Sequence, residues 1–369
     1  MTGGSDKLDR FKEAFERGEQ GQVSNYRAWL ENQGFQPERV NEDWLPNHFG
    51  EHPEHAANHD EQLETVAEYL GFFSRKGGKR HLPIIGVSGI GKTVFLHTIH
   101  HAVDQLGLDI PVRSLNAGTF DDVENDRFRL QIVQEELEEA GQTVILVDNC
   151  AQGREIVESL SSTGKAAEEA VILSVWTPEW WRHHCEDVET ELPVTDEIHL
   201  EPLSESETRR AVDTIFRLLS DGGAKPSRDF VSTVRENCFG NPNIMLKLVL
   251  RSLKEAFHAG TEIGAECVER AAETLGLVEA EEAVYDLPES RLKLISHMLR
   301  NTDKRGTQPS KLVDLTGHDK STVSYHLQEL RQANIVESTK SGRRAYYQIR
   351  EVVRPLAQIR IAQQGEIHG

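Results

Sequence analysis

The stretch Gly86-Val87-Ser88-Gly89-Ile90-Gly91-Lys92-Thr93 lies between an apolar run, Leu82-Pro83-Ile84-Ile85, and a helical pattern, Val94-Phe95-Leu96-His97-Thr98-Ile99-His100. Strand, glycine-rich loop and helix, in that order, are the setting in which the spacing G-x-x-x-x-G-K-T means a phosphate-binding loop. The glycines let backbone N–H groups converge on a phosphate without a Cβ in the way. The helix that starts near Gly91 adds its dipole. Gly86, Ser88, Gly89, Gly91, Lys92 and Thr93 are therefore the expected nucleotide-binding residues. Lys92 would set a cation on the β- and γ-phosphates, and Thr93 would offer a hydroxyl to Mg²⁺. ATP with Mg²⁺ is the expected ligand.

On either side of this loop, apolar runs alternate with helical patterns. A helix from Glu61 carries Leu63, Val66, Ala67 and Leu70 on one face. Ile110–Leu115, Thr143–Asn149, Ala170–Trp176 and Glu197–Leu200 read as strands, with helices expected over 128–139 and 154–161. This alternation predicts an α/β core over residues 61–203, a parallel sheet covered on both faces. Asp148 closes an apolar strand, where an acid holds Mg²⁺ through water. Thr93 and Asp148 are thus the expected metal pair. Asn149 follows, and an amide cannot act as a base, so slow hydrolysis is expected. Thr177 and Ser174 end the strand expected beside the P-loop strand and are candidates to reach the γ-phosphate or the attacking water. Thr177 is preferred because it follows the apolar run, so Lys92, Asp148 and Thr177 form the expected catalytic set. Arg182 reads as a surface arginine, with a trans-acting finger in an oligomer as the alternative.

Residues 1–60 are polar, with amphipathic helices expected near 8–17 and 23–33. His48, His52, His55 and His59 fall at helical spacing, but Gly50 and Pro53 interrupt the helix, so a solvated linker is the reading rather than a metal site. Residues 204–285 read as an all-helical module. Ser204-Glu205-Ser206-Glu207 opens a helix in capping-box fashion. Phe239-Gly240-Asn241-Pro242 separates two more helices.

Residues 286–369 read as helix, helix, turn, helix and β-hairpin, the winged-helix order. The presumed recognition helix starts with Lys320, Ser321, Thr322, Ser324 and Tyr325, short polar and aromatic groups suited to phosphates and base edges. Arg331 flanks them. Lys340, Arg343 and Arg344 lie at the hairpin tip, where they would reach backbone or minor groove.

Charge separates this module from the rest. The chain carries 61 acidic and 41 basic residues, a formal net charge of −20. Residues 287–361 hold 14 basic and 7 acidic residues, a net of +7, which leaves −27 for the remainder. A basic module on an acidic body suggests a local polyanion site, with double-stranded DNA as the expected partner. The acidic excess suits either a salt-rich cytoplasm or an ordinary acidic protein. Four scattered cysteines with no C-x-x-C pair read as free thiols in a reducing compartment. No apolar run reaches the 18 or so residues of a membrane span, and no secretory pattern opens the chain. A soluble cytoplasmic protein with no membrane contact is expected.

The P-loop, Asp148, the Ser174–Thr177 strand end, Leu200–Glu207, Gly240-Asn241-Pro242 and the winged helix occur in an order that resembles AAA+-related ATPases of the archaeal replication-initiator, or origin-recognition, type. The chain is also similar to STAND signalling ATPases, whose P-loops often read G-x-S-G-I-G-K-T. The resemblance covers about residues 60–350. It implies a helical lid that closes with ATP, a nucleotide-set switch over a DNA reader in transcription regulation or replication initiation, and a homo-oligomer in the ATP state. The STAND likeness implies instead a signalling ATPase acting through protein partners, for example in defence, with the winged helix as a linker. Two positions depart from the initiator pattern. Asn149 replaces an acid, and Asn243 stands where an arginine commonly senses the γ-phosphate, leaving Lys247 or Arg235 as substitutes. Both imply weak hydrolysis.

Overall fold

The computed structural model describes residues 24–56, 59–107, 110–116, 142–150, 169–300, 305–342 and 344–367. The helices expected near 8–17, 128–139 and 154–161, and Arg343, lie outside these residues. The chain forms two compact units, one from 1–57 with 204–274, the other from 58–203 with 275–369.

The first unit begins with α1 (Ser24–Asn32) and α2 (Trp44–Glu51). The sheet-containing unit follows in the chain with α3 (Asp60–Lys76), β1 (Lys79–Ile85), α4 (Lys92–Gln105), β2 (Val112–Asn116), β3 (Gln142–Asp148), β4 (Glu169–Trp176), α5 (Pro178–Glu191) and β5 (Ile198–His199). The chain then returns to the helical unit through α6 (Glu205–Ser220), α7 (Arg228–Cys238), α8 (Pro242–Ala259) and α9 (Ala265–Leu275). It ends in the sheet unit with α10 (Leu277–Tyr285), α11 (Glu289–Leu299), α12 (Pro309–Thr316), α13 (Lys320–Gln332), β6 (Val336–Ser341), β7 (Arg344–Ile349) and α14 (Arg354–Ile367).

The helical unit is held by aromatic contacts that join its two chain segments. Tyr26 and Trp29 of α1 meet Phe257 of α8 at ring distances of 5.1 and 5.9 Å. Phe35 packs on Phe216, and Phe216 on Phe230. The capping box at Ser204 forms. The Ser204 N–H donates to Glu207 Oε2 at 2.8 Å, and the Glu207 N–H donates to Ser204 Oγ at 3.3 Å. The Phe-Gly-Asn-Pro stretch is helix punctuation. Phe239 and Gly240 turn left-handed after α7, at φ of 53° and 65°. Asn241 then caps α8 by accepting the N–H groups of Asn243 and Ile244. His48, His52 and His55 stack in this unit, with His48 Nε2 and His55 Nδ1 2.9 Å apart. Among the described residues no group of three or more histidines, cysteines or carboxylates could hold a metal ion.

The sheet has strand order β2-β3-β4-β1-β5, and every pairing is parallel. Its strands are apolar on both faces, as a covered parallel sheet requires. Alternation divides them cleanly. Val144, Leu146, Val171, Leu173, Leu82 and Ile84 join a core with α3 and α4, while Ile145, Val147, Ile172 and Ile85 join one with the tryptophans of α5. Trp176, Trp180 and Trp181 are core residues in that second cluster. Because the strands are parallel, the P-loop after β1, Asp148 at the end of β3 and Thr177 after β4 all emerge at the same sheet edge, where open α/β sheets bind ligands.

Residues 289–349 form the expected winged helix. The hairpin pairs Val336 with Ile349 through Ser341 with Arg344. An isolated antiparallel bridge adds to it, since Thr307 and Tyr347 exchange backbone hydrogen bonds at 2.8 and 2.9 Å. Val323, Leu327 and Leu330 of α13 are buried. Among the described residues no helix is long and apolar enough to cross a membrane.

Candidate nucleotide site and DNA-reading surface

Gly86 leaves β1 with its N–H on Trp176 O, so the loop begins under the end of β4. A Cβ on Gly86 would stand 2.8 Å from Ile90 Cγ2 and 3.2 Å from Leu200 Cβ. Gly89 and Gly91 have φ of 78° and 100°, a region in which a side chain is strained. These requirements, close approach at one glycine and left-handed backbone at two, are why the loop needs glycine at those places.

Lys92 Nζ donates to Gly86 O at 2.7 Å and Val87 O at 2.9 Å, which folds the ammonium onto its own loop. Burial pushes its pKa down to about 8, against the pull of Glu179 and Asp148. Thr93 Oγ1 donates to Asp148 Oδ2 at 2.7 Å, so the two expected metal groups are adjacent. A hydroxyl and a carboxylate are the hard oxygen donors Mg²⁺ takes alongside phosphate oxygens and water, and the pair fits that ion. Asp148 Oδ1 accepts the Asn149 N–H at 2.8 Å. Asn149 itself is left-handed at φ 58°, a conformation that asparagine tolerates better than glutamate does.

The strand-end candidates diverge. Ser174 is fully buried and contacts His81 Nε2 and Trp176 Nε1, both at 2.7 Å, inside the protein. Thr177 precedes α5, and its carbonyl accepts the N–H groups of Trp180 and Trp181. Among the described residues its buried hydroxyl has no hydrogen-bond partner. Arg182 is exposed. In the helical unit, Arg235 pairs with Glu205 at 2.6 Å.

Three residues at this edge were not expected from the sequence. His59, buried, sets Nε2 2.9 Å from Ile90 O and braces the P-loop from the start of α3. Gln358 of α14 is 1% exposed, and its Oε1 accepts the Ser88 N–H at 2.7 Å. The other end of the same amide, Nε2, donates to Glu179 Oε1 at 2.8 Å. Glu179, in the first turn of α5, is buried, and among the described residues its Oε2 has no hydrogen-bond partner. It is also the carboxylate that offsets burial of Arg300, at the end of α11. Glu179 follows a strand end and could have been found there. Nothing in the terminal helix pattern marks Gln358.

The winged helix exposes Lys320, Ser324, Tyr325, Arg331, Lys340 and Arg344. Tyr325 is 55% exposed, with the Arg291 guanidinium 5.9 Å from its ring centre. Ser321 and Thr322 are committed locally. Asp319 caps α13 and accepts their N–H groups at 2.8 and 2.9 Å. It also accepts both hydroxyls, that of Thr322 at 2.7 Å. These hydroxyl bonds hold the Asp319 carboxyl well below the usual carboxylate range. A phosphate at this helix start would compete with that carboxylate.

Comparison with known proteins gives one family match, within the winged helix. Residues 288–338 match the family described as bacterial regulatory protein, arsR family. None of the curated proteins matches the chain. Among solved structures, the Aeropyrum pernix ORC1 protein in complex with DNA aligns at a TM-score of 0.46 and 16% identity, over 84% of this chain and 94% of that one. Cdc6p from Pyrobaculum aerophilum aligns at 0.45 and 14%, over 84% and 93%. Domain III of the Thermotoga maritima replication initiation protein DnaA aligns at 0.41 and 15%, over 60% and 95%. The chain is a parallel α/β core carrying a glycine-rich P-loop, with an all-helical module and a C-terminal winged helix.

Proposed function

We propose that the protein binds ATP with Mg²⁺ at Gly86–Thr93 and Asp148, binds duplex DNA through α13 and the β6–β7 hairpin, and couples the two. Its use would be in replication initiation or transcription regulation. The observation that carries this reading is the bond from the Ser88 N–H to Gln358. A phosphate accepts P-loop N–H groups, and here an amide of the helix that follows the wing takes one of them. Nucleotide binding and the docked position of α14 are then alternatives, so ATP shifts the winged helix between two states by its differential affinity for them. ATP is the setting and DNA the output.

The test is duplex DNA binding as a function of salt, with and without ATP. Electrostatic contact to phosphates gives a steep fall of affinity with salt. The reading expects that slope, and expects ATP to change the affinity. Salt-independent binding or none, in both nucleotide conditions, would favour a protein-linked signalling role for the winged helix.

A further inference from the structure

Gln358 bridges the P-loop to a buried carboxylate, and its amide has one acceptor end and one donor end. The acceptor, Oε1, takes the Ser88 N–H at 2.7 Å. The donor, Nε2, points at Glu179 Oε1 at 2.8 Å. A phosphoryl oxygen with a water beside it presents the same pair of roles, since the oxygen accepts a P-loop N–H and the water donates to a carboxylate. The amide therefore spans the gap that a terminal phosphoryl group and its attacking water would fill.

Glu179 has the other properties of a base. It stands after β4, the strand between the P-loop strand and the Asp148 strand. It is buried, and among the described residues Oε2 has no hydrogen-bond partner. Asn149 cannot take a proton at the position after Asp148, so the site otherwise lacks a base among its described strand ends.

We propose that Glu179 is the catalytic carboxylate for ATP hydrolysis, and that Gln358 fills the gap between Glu179 and the P-loop until nucleotide displaces α14. This rests on the ATP-binding reading above. In the step, Glu179 accepts a proton from water while the water oxygen forms a bond to the γ-phosphorus. The bond from that phosphorus to the β–γ bridging oxygen breaks, and ADP leaves with its electron pair. Inorganic phosphate departs and Glu179 returns its proton to solvent. Turnover is slow because α14 must leave first.

The experiment measures ATP affinity with a fluorescent nucleotide, and kcat and KM, on the full chain. Glu179→Gln is expected to lower kcat by about 10²–10⁴-fold, with affinity and melting temperature close to wild type. Gln358→Ala is expected to tighten ATP binding and raise kcat several-fold, with no gain in kcat when Glu179→Gln is also present. A kcat for Glu179→Gln within twofold of wild type overturns the proposal, and so does a Gln358→Ala gain that survives Glu179→Gln. Wild-type protein that binds ATP without turning it over also overturns it, and leaves the binding reading standing. Wild-type protein that does not bind ATP overturns both. Should Glu179→Gln not fold, Glu179→Ala read for kcat against KM serves the same purpose.

Discussion

Gln358 and Ser88, 270 positions apart in the chain, share a 2.7 Å hydrogen bond at the P-loop. The acceptor belongs to the helix after the wing, and the donor is one of the groups a phosphate would use. One side of this bond is the glycine-rich loop and the other the helix that follows the wing. Ile359, beside Gln358, packs against the core that contains Val87 and Ile90 of the loop. The docked helix is thus held by apolar packing as well as by the amide.

Lys92 gives ATP binding a pH dependence. Without phosphate its pKa is pushed down to about 8. Polyphosphate favours the ammonium, so the pKa rises on binding and a proton is taken up between the two values. Affinity should hold below pH 8 and fall by up to about tenfold per unit above it. Calorimetry of ATP binding at pH 8.5, in buffers of different ionisation enthalpy, should show net proton uptake. Lys92→Ala should lose binding, and an unchanged affinity in that variant would contradict the site.

Gly86→Ala should destabilise the sheet unit. Its Cβ would lie 2.8 Å from the side chain of Ile90, which is fully buried and cannot step aside. Overpacking of this kind costs about 1–3 kcal/mol. Chemical denaturation measures it, and the cost of Gly86→Ala should be smaller in an Ile90→Ala background, which lacks the Cγ2 that the new Cβ meets.

His81 should make stability fall in acid. Burial pushes its pKa down to about 4, from 6.5 in an unfolded chain. Between those values the unfolded state binds more protons, so folding stability rises with pH there. The contribution is complete above about pH 6.5 and is lost as pH falls toward 4, a span of about 3 kcal/mol. Denaturation at pH 7.5 and 4.5 measures the drop. His81→Gln, which cannot titrate, should show a smaller difference between the two pH values than wild type.

Arg344 and Lys340 are exposed on the hairpin, where Arg344 stands opposite Ser341 and Lys340 opposite Ala345. Arg344→Ala should weaken binding across DNA sequences alike and reduce the salt slope by about 1. Tyr325, at the middle of α13, should instead alter preference among sequences when changed to Ala. Fluorescence anisotropy on several duplexes across a salt series separates the two effects.

Much of the architecture was legible in the sequence because strong local patterns agreed with the tertiary outcome. The apolar runs at Thr143–Val147 and Ala170–Trp176 are buried on both sheet faces, so their composition alone marked a covered parallel strand. Ser204 and Glu207 carried their cap in two letters at fixed spacing. The Thr93–Asp148 pair followed from the loop motif and the strand end. His59 and Gln358 were illegible for a common reason. Each meets the P-loop from a segment remote in sequence, and no periodicity encodes that. His59 carries the same letter as the stacked histidines before it yet supports the P-loop, and Ser174, a plausible γ-phosphate partner by position, points inward to His81 and Trp176.

The coupling of the two sites is the centre of the account, and linkage tests it directly. If ATP changes DNA affinity by some factor, DNA must change ATP affinity by the same factor. The measurement is the ATP dissociation constant with and without saturating duplex, set beside the DNA constant with and without saturating ATP, in wild type and Gln358→Ala. The account predicts equal factors different from one in wild type, and factors closer to one in Gln358→Ala, where the bond between the sites is absent. Factors of one in wild type, with both ligands bound, would contradict it.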